Sequence, residues 1–502
     1  MKSIWPNADG IGIPTEISLE EATLRYTDGF QMKTFWQVKL LSMLALLCVV
    51  APLVGQDLQP DTDIESRLSQ LEDEIQMLRT QVEASSQAGM VPAQEAGWII
   101  GNNGSLVPCI PPADGKKYPT VQLTGFFQLD GVWFNQNQAN RTTLGPNGDL
   151  QDGWDFRRAR LAAKGDLAEN FSYIMEFDFA SSQATFVDVW AQYSNAPLFQ
   201  NIRIGRWRQP YGMSELTSIR ELPFLERSSG FSVAPFRQTG LGFFGSNEPD
   251  RVTWAASVFR YPSDGFGDNA GDNGGYAGAG RLTMLPVYAS DGERLIHMGI
   301  DYYYANPSQN EVRFLSQPEI QVVDVAPNPS ISVPPFIDTG FVSVNHVDSI
   351  NFELAAKYGR FVIQSEARWT RLNQRGNAPT QVIENAYALV RYSLTGESLQ
   401  YNKKNAVFGR VVPRHDFNPY CGNWGAWELA ARYSFADFNG NWLAASGSPG
   451  PGRQMGNTTL GVNWYLNAHT KFQFNYIYSD LNDPTYGSSF ADIYAVRCQI
   501  DY

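Results

Sequence analysis

Residues 154–180 read WDFRRARLAAKGDLAENFSYIMEFDFA. From Ala159, small or apolar residues take every second position: Ala159, Leu161, Ala163, Gly165 and Leu167. Arg158, Arg160 and Lys164 take the other parity. Past a turn at Leu167–Asn170, Phe171, Tyr173, Met175, Phe177 and Phe179 alternate with Ser172, Ile174, Glu176 and Asp178. Alternation at this period is the signature of strands with unlike faces, here a β-hairpin. One face carries full charges, and the other is apolar enough for lipid, as in a transmembrane β-barrel with a polar interior. A soluble sheet with a solvated basic face fits the hairpin alone equally well, so the rest of the chain decides.

The alternation continues from Thr120 to Tyr502. Val121, Leu123, Gly125, Phe127, Leu129, Gly131 and Trp133 share one face of Val121–Trp133, opposite Gln122, Thr124, Gln128 and Asp130. Comparable segments are Phe186–Tyr193, Arg251–Tyr261, Leu295–Tyr304, Ser349–Tyr358, Arg360–Leu372, Val382–Leu394, Ala426–Phe438, Thr459–Leu466 and Lys471–Ser479. Tight turns such as Tyr358-Gly359-Arg360 contrast with long Gly-, Asp-, Asn- and Pro-rich loops at Pro262–Ala279 and Asn306–His346. A short-turn side and a long-loop side are the outer-membrane asymmetry. The last segment alternates Tyr494, Val496, Cys498, Ile500 and Tyr502, an aromatic end of the kind that outer-membrane barrels carry. The expected fold is all-β, a transmembrane antiparallel β-barrel of about 16 strands, an even number as bacterial barrels prefer.

The chain has 502 residues, a net charge of −13 and 13% aromatic residues. Its acidity argues against nucleic-acid binding. Met32 and Lys33 open a positive segment ahead of Leu40–Val50, LLSMLALLCVV, a run fit for an export signal and too short to span a membrane as a helix. The expected organisation is an extended leader or misassigned start at 1–31, a signal peptide at 32–55, a short α-helical coiled coil at 61–85, a Gly/Pro-rich linker at 86–119 and the barrel at 120–502. The coiled coil rests on a heptad with Leu68, Ile75 and Val82 at a positions and Ile64, Leu71 and Leu78 at d positions. Of the four cysteines, Cys48, Cys109, Cys421 and Cys498, none forms a CxxC pair, and no disulfide framework or zinc site is indicated.

Enzyme readings lack support. His297, His346, His415 and His469 do not cluster, and no HExxH, P-loop or GxSxG motif occurs. The expectation is no catalytic set, no metal and no cofactor. Asp268–Asp272, in a Gly/Asp-rich loop, lacks EF-hand spacing and reads as solvated surface.

Five stretches, in order, resemble the phosphate-selective porin O and P family: Phe156–Ala180, Ile202–Ser218 (IRIGRWRQPYGMSELTS) with Phe224–Ser228 (FLERS), Tyr392–Glu397 (YSLTGE), Gly425–Ser434 (GAWELAARYS) and Leu460–Asn467 (LGVNWYLN). The resemblance implies a homotrimer of sixteen-stranded barrels in the outer membrane of a Gram-negative-type bacterium. It implies passage of small anions along lumen-facing arginines and lysines, narrowed by an inward-folded loop. The Asn306–His346 insertion departs from that pattern.

Parity then selects pore-lining candidates, because guanidinium and ammonium groups in a narrow passage attract anions. They are Arg158, Arg160, Lys164 and Arg203; Arg220, Arg227 and Arg237, on the long stretch that follows an Arg-rich strand end, join them, with Arg368 and Arg391 as weaker ones. Parity turns Arg157, Arg206 and Arg208 outward or to a rim. Pro210–Gln238 is the expected constriction. Against each arginine stands an alternative, a wall salt bridge to Asp178, Glu176 or Asp188. The expected function is passive diffusion of small anions, with phosphate among them. Two other functions are compatible with the sequence: a structural anchor tethered through the coiled coil, and a general or cation-preferring pore. Outer-membrane lipid is the expected surrounding.

Overall fold

The computed structural model describes residues 118–502 apart from 147, 181–182, 270–274, 322–332, 377 and 440–451. It also describes two short antiparallel strands, Gly97–Ile100 and Leu106–Cys109, within the expected linker. The leader, the signal peptide and the coiled coil lie outside the described residues, as does most of Asp268–Asp272.

Sixteen long strands form the wall. They are β1 (Gln122–Gln136), β2 (Gly153–Ala168), β3 (Phe171–Asp178) and β4 (Thr185–Ala196). Then come β5 (Gln200–Arg208), β6 (Arg237–Ser246), β7 (Val252–Arg260) and β8 (Tyr276–Ala289). Next are β9 (Arg294–Asn306), β10 (Val342–Tyr358), β11 (Phe361–Gln374) and β12 (Gln381–Ser393). The last are β13 (Ala426–Asp437), β14 (Gln454–Tyr465), β15 (Thr470–Asp483) and β16 (Gly487–Asp501). Each pairs antiparallel with its neighbours, and β16 returns to β1 with Arg497 opposite Asp130, closing the ring without an edge. The barrel of about 16 strands expected from the alternation is the fold observed.

The alternation sorts side chains as a bilayer requires. On β14, Leu460 faces outward and is exposed, whereas Asn457, Thr459 and Asn463 point inward and are fully buried. Leu161, Met175, Ile204, Leu282, Phe352 and Phe474 continue the exposed apolar band. Aromatic pairs mark both ends of the wall. Trp133 meets Trp154 edge-on at 5.7 Å on the long-loop side, and Trp427 stacks on Trp464 at 5.1 Å on the short-turn side. An apolar band between aromatic girdles is how a barrel sits in lipid.

The wall is uneven. β3, β5 and β7 have 8, 9 and 9 residues, against 17 in β10 and 14 in β11 on the other side.

Three segments fold into the interior. The first, 209–236, joins β5 to β6. The second, described at 307–321 and 333–341 between β9 and β10, buries Phe314, Ile320, Phe336 and Ile337 in one apolar cluster with Tyr211, Leu225 and Val233 of the first. This gives the Asn306–His346 insertion its place. The third, 394–425, joins β12 to β13 and is a long segment on the otherwise short-turn side. Its Leu399, Val407, Phe408 and Val411 pack with Met213 of the first segment. The expectation of one short and one long side therefore holds except at this connection and at the three-residue turn between β15 and β16 on the long-loop side.

Candidate functional site

The 209–236 segment crosses the lumen and is anchored on both walls. Gly212 turns with φ +79°, and a Cβ there would lie 1.9 Å from Glu215 Oε2, so the tight turn requires glycine. The Gly212 amide donates to Asp301 Oδ2 (3.1 Å) and the Ser214 amide to Glu366 Oε1 (2.8 Å). Arg368 bridges Glu215 (3.1 Å) and Glu366 (3.6 Å). Oxygens of Asp301, Glu353 and Glu366 lie within 4.8 Å of one another. Their partners include these loop amides, Asn351, Arg281, Arg368, His297 and Tyr387, so the acidic cluster anchors the loop on β9–β11. On the other wall, Arg208 Nη1 donates to Leu216 O (2.9 Å) and Thr217 O (3.0 Å).

The candidate residues occupy distinct settings. Arg160 ion-pairs with Asp178 (2.8 Å) and lies 4.0 Å from Glu176. Arg237 makes a two-pronged pair with Asp188 (2.9 and 3.2 Å). These are the wall salt bridges weighed as the alternative. Arg158 pairs with Glu226 of the loop (2.9 Å). Arg203 donates to Gln192 and stacks 4.0 Å over Trp190. Arg227 donates to the carbonyls of Ser214, Glu215 and Thr217. Burial brings the Arg227 guanidinium down to about 10, still a cation at neutral pH. Arg220 is 4.0 Å from Asp501, and Lys164 is exposed near the short-turn end. Arg368 and Arg391 point inward and are both ion-paired, Arg391 with Glu428 at 2.9 Å.

Two expectations from parity are corrected. Arg157 points inward and donates to Glu226 Oε1 (3.0 Å) and to Gln321. The ladder pairs Gln128 with Arg158 and Leu129 with Phe156, leaving Arg157 as the extra residue of a β-bulge. A bulge sets two residues against one and breaks the alternation locally. Arg208 also reaches the lumen loop, because it ends its strand where the pleat gives way to 209–236. Arg206 donates to Phe186 O (3.1 Å).

Beside the loop lies a cavity of about 350 Å³, whose charged lining is Arg160, Arg206 and Arg237 against Asp178. Arg160 and Arg237 are held by Asp178 and Asp188, which leaves Arg206 as the guanidinium of this lining with no ion-pair partner among the described residues.

Sequence reasoning missed Arg497, Arg432, Glu226 and Glu319. Arg497 is fully buried and grips Asp130 with two 2.6 Å bonds. Arg432 pairs with Glu319 at 2.5 Å, and Glu319 also accepts from the Ser229 amide (3.1 Å), tying the second inward segment to the first. A usable signal existed for Arg497: it sits between the outward-facing Val496 and Cys498. None existed for the loop acids, whose partners come from tertiary structure.

Burial pushes the Glu226 carboxyl up, but Arg158, Arg157 and Arg497 outweigh it and hold the group well below the usual carboxylate range. A depressed folded-state value lends stability that is full above the unfolded value and lost as pH falls through the folded one. Heat-unfolding temperature, read by gel migration of the closed barrel, is therefore expected to stay flat from about pH 8 to pH 5 and to drop below about pH 4.

A family profile described as phosphate-selective porin O and P matches residues 127–502. Porin O of Pseudomonas aeruginosa is 25% identical over 426 residues, covering 79% of this chain and 90% of that protein. The outer membrane channel DcaP of Acinetobacter baumannii aligns over 76% of this chain and 97% of its own, with 11% identity and a TM-score of 0.47. The trimer form of OmpT from Vibrio cholerae aligns over 76% and 99%, with 9% identity and a TM-score of 0.45.

Proposed function

The chain belongs to the phosphate-selective porin O and P family and is an outer-membrane porin, and from that premise we propose that it conducts small anions in preference to cations. The observation that carries this reading is the cavity beside the 209–236 segment, lined by Arg160, Arg206 and Arg237 against Asp178. Arg208 and Arg227 reinforce it, since both bond to carbonyls and neither is ion-paired with a carboxylate among the described residues. In a narrow, partly desolvated channel a few uncompensated charges set the sign of selectivity, whatever the net charge of distant loops. This is why a chain of net charge −13 can prefer anions. Phosphate is one anion that the arginines suit, because guanidinium matches its oxygens two at a time. A homotrimer fits the family and the 61–85 heptad ahead of the barrel.

The test is the reversal potential of single channels in planar bilayers under a tenfold KCl gradient. A chloride-signed potential is expected. A cation-signed potential overturns the anion reading, and absence of conductance leaves the structural-anchor reading in its place.

A further inference from the structure

Three guanidiniums of the lumen surround a group that the protein supplies itself. Arg158 grips Glu226 with both prongs, Nη1 to Oε1 at 3.0 Å and Nη2 to Oε2 at 2.9 Å. Arg157 Nε reaches Oε1 at 3.0 Å and Arg497 Nη2 reaches it at 3.2 Å. Asp130 engages Arg497 from the wall. Glu226 is the ion-pair partner of Arg157 and Arg158 among the described residues. Removing the Glu226 side chain therefore leaves three guanidiniums facing one carboxylate. The wall contributes all three cations, and the inward segment contributes the anion.

Arg158 and Arg497 are pre-positioned by other bonds, to Gln128 Oε1 (2.8 Å) and to Asp130. The backbone beside Glu226 is held independently: Arg497 donates to Leu225 O (2.5 Å) and Arg432 to Glu226 O (3.0 Å). The Glu226 side chain can thus leave by bond rotation while loop and wall stay put. Solvent reaches it, since the side chains of Glu226 and Arg157 are 13% and 22% exposed. Planar forks that converge on two oxygens match a carboxylate.

We propose that Arg157, Arg158 and Arg497 form a binding site for organic carboxylates in the passage, and that Glu226 occupies it as an internal stand-in. A solute carboxylate enters by exchange with the Glu226 side chain, so Glu226 sets the affinity of the site. This inference rests on the anion-conducting reading.

The experiment uses the full chain in planar bilayers, wild type against Glu226→Gln, with chloride current titrated by succinate and separately by inorganic phosphate. Without its internal competitor, Glu226→Gln is expected to be half-blocked at about one-tenth of the succinate that half-blocks wild type. Glu226→Asp keeps the charge but shortens its reach, and is expected to give a smaller shift in the same direction; it serves if Glu226→Gln does not insert. Equal succinate block in wild type and either variant overturns the proposal. A shift seen with phosphate and not with succinate overturns the carboxylate assignment. The wild-type reversal potential is measured on the same membranes. If it is cation-signed, the anion reading fails; if it is chloride-signed and succinate block does not move, the failure belongs to this inference alone.

Discussion

Replacing Arg160 and Arg237 together with glutamine is expected to reverse the sign of ion selectivity. The two guanidiniums line the cavity beside the inward segment, and each holds a carboxylate, Asp178 and Asp188 respectively. With both gone, Arg206 is the one cation left in that lining, facing Asp178, with Asp188 and Glu176 released behind it. A unit charge beside a narrow aqueous path contributes about 1 kcal/mol to an ion's passage, or about fivefold. Loss of two should lower chloride passage about twenty-five-fold, and the matching gain for potassium moves the chloride-to-potassium permeability ratio further in the same direction. The measurement is the reversal potential under a salt gradient, with Arg160→Lys/Arg237→Lys as the control that retains charge and keeps the wild-type sign. A glutamine variant that still passes chloride preferentially would remove these residues from the selectivity mechanism.

Arg497→Ala is expected to be the most destabilising single change in the wall. Arg497 on β16 lies directly opposite Asp130 on β1, at the seam where the barrel closes, and both side chains are fully buried. Breaking a buried pair by deleting one partner strands the other charge, at a cost of about 3–5 kcal/mol. Glu226 loses one of its three cations in the same step. Urea titration of folding into lipid vesicles should show the closed form lost at markedly lower urea. Arg497→Ala combined with Asp130→Asn should recover most of the loss, since no charge is then stranded. A single variant as stable as wild type would show that the seam does not depend on this pair.

The wall was legible in the sequence because a strand with lipid on one side and water on the other must alternate at a period of two. Leu460, Val462 and Trp464 against Thr459, Gly461 and Asn463 is a pattern few other folds would need. The inward placement of Arg158, Arg160 and Arg203 followed from the same rule. The rule failed at Arg157, where one extra residue in the ladder cannot be counted before the partner strand is known. It failed at Arg208 because alternation stops binding at a strand end. The inward segments were harder. Residues 307–341 carry no period, since Phe314, Ile320 and Phe336 pack on other segments rather than across a sheet. The loop carboxylates that temper the arginines, Glu226 and Glu319, lie 68 and 113 residues from Arg158 and Arg432. Pairing at such a distance is a product of the closed barrel.

The unequal height of the wall has a mechanical consequence. Strands of 8 or 9 residues, rising about 3.3 Å each and tilted about 40°, give a wall of about 20–23 Å, below the roughly 25 Å apolar band of outer-membrane barrels. On the β10–β11 side the wall is far taller. The bilayer meets the low side by thinning, at fractions of a kcal/mol per Å of mismatch. That elastic strain grows with the length of low perimeter left in lipid, and falls when low sides of neighbouring copies face one another.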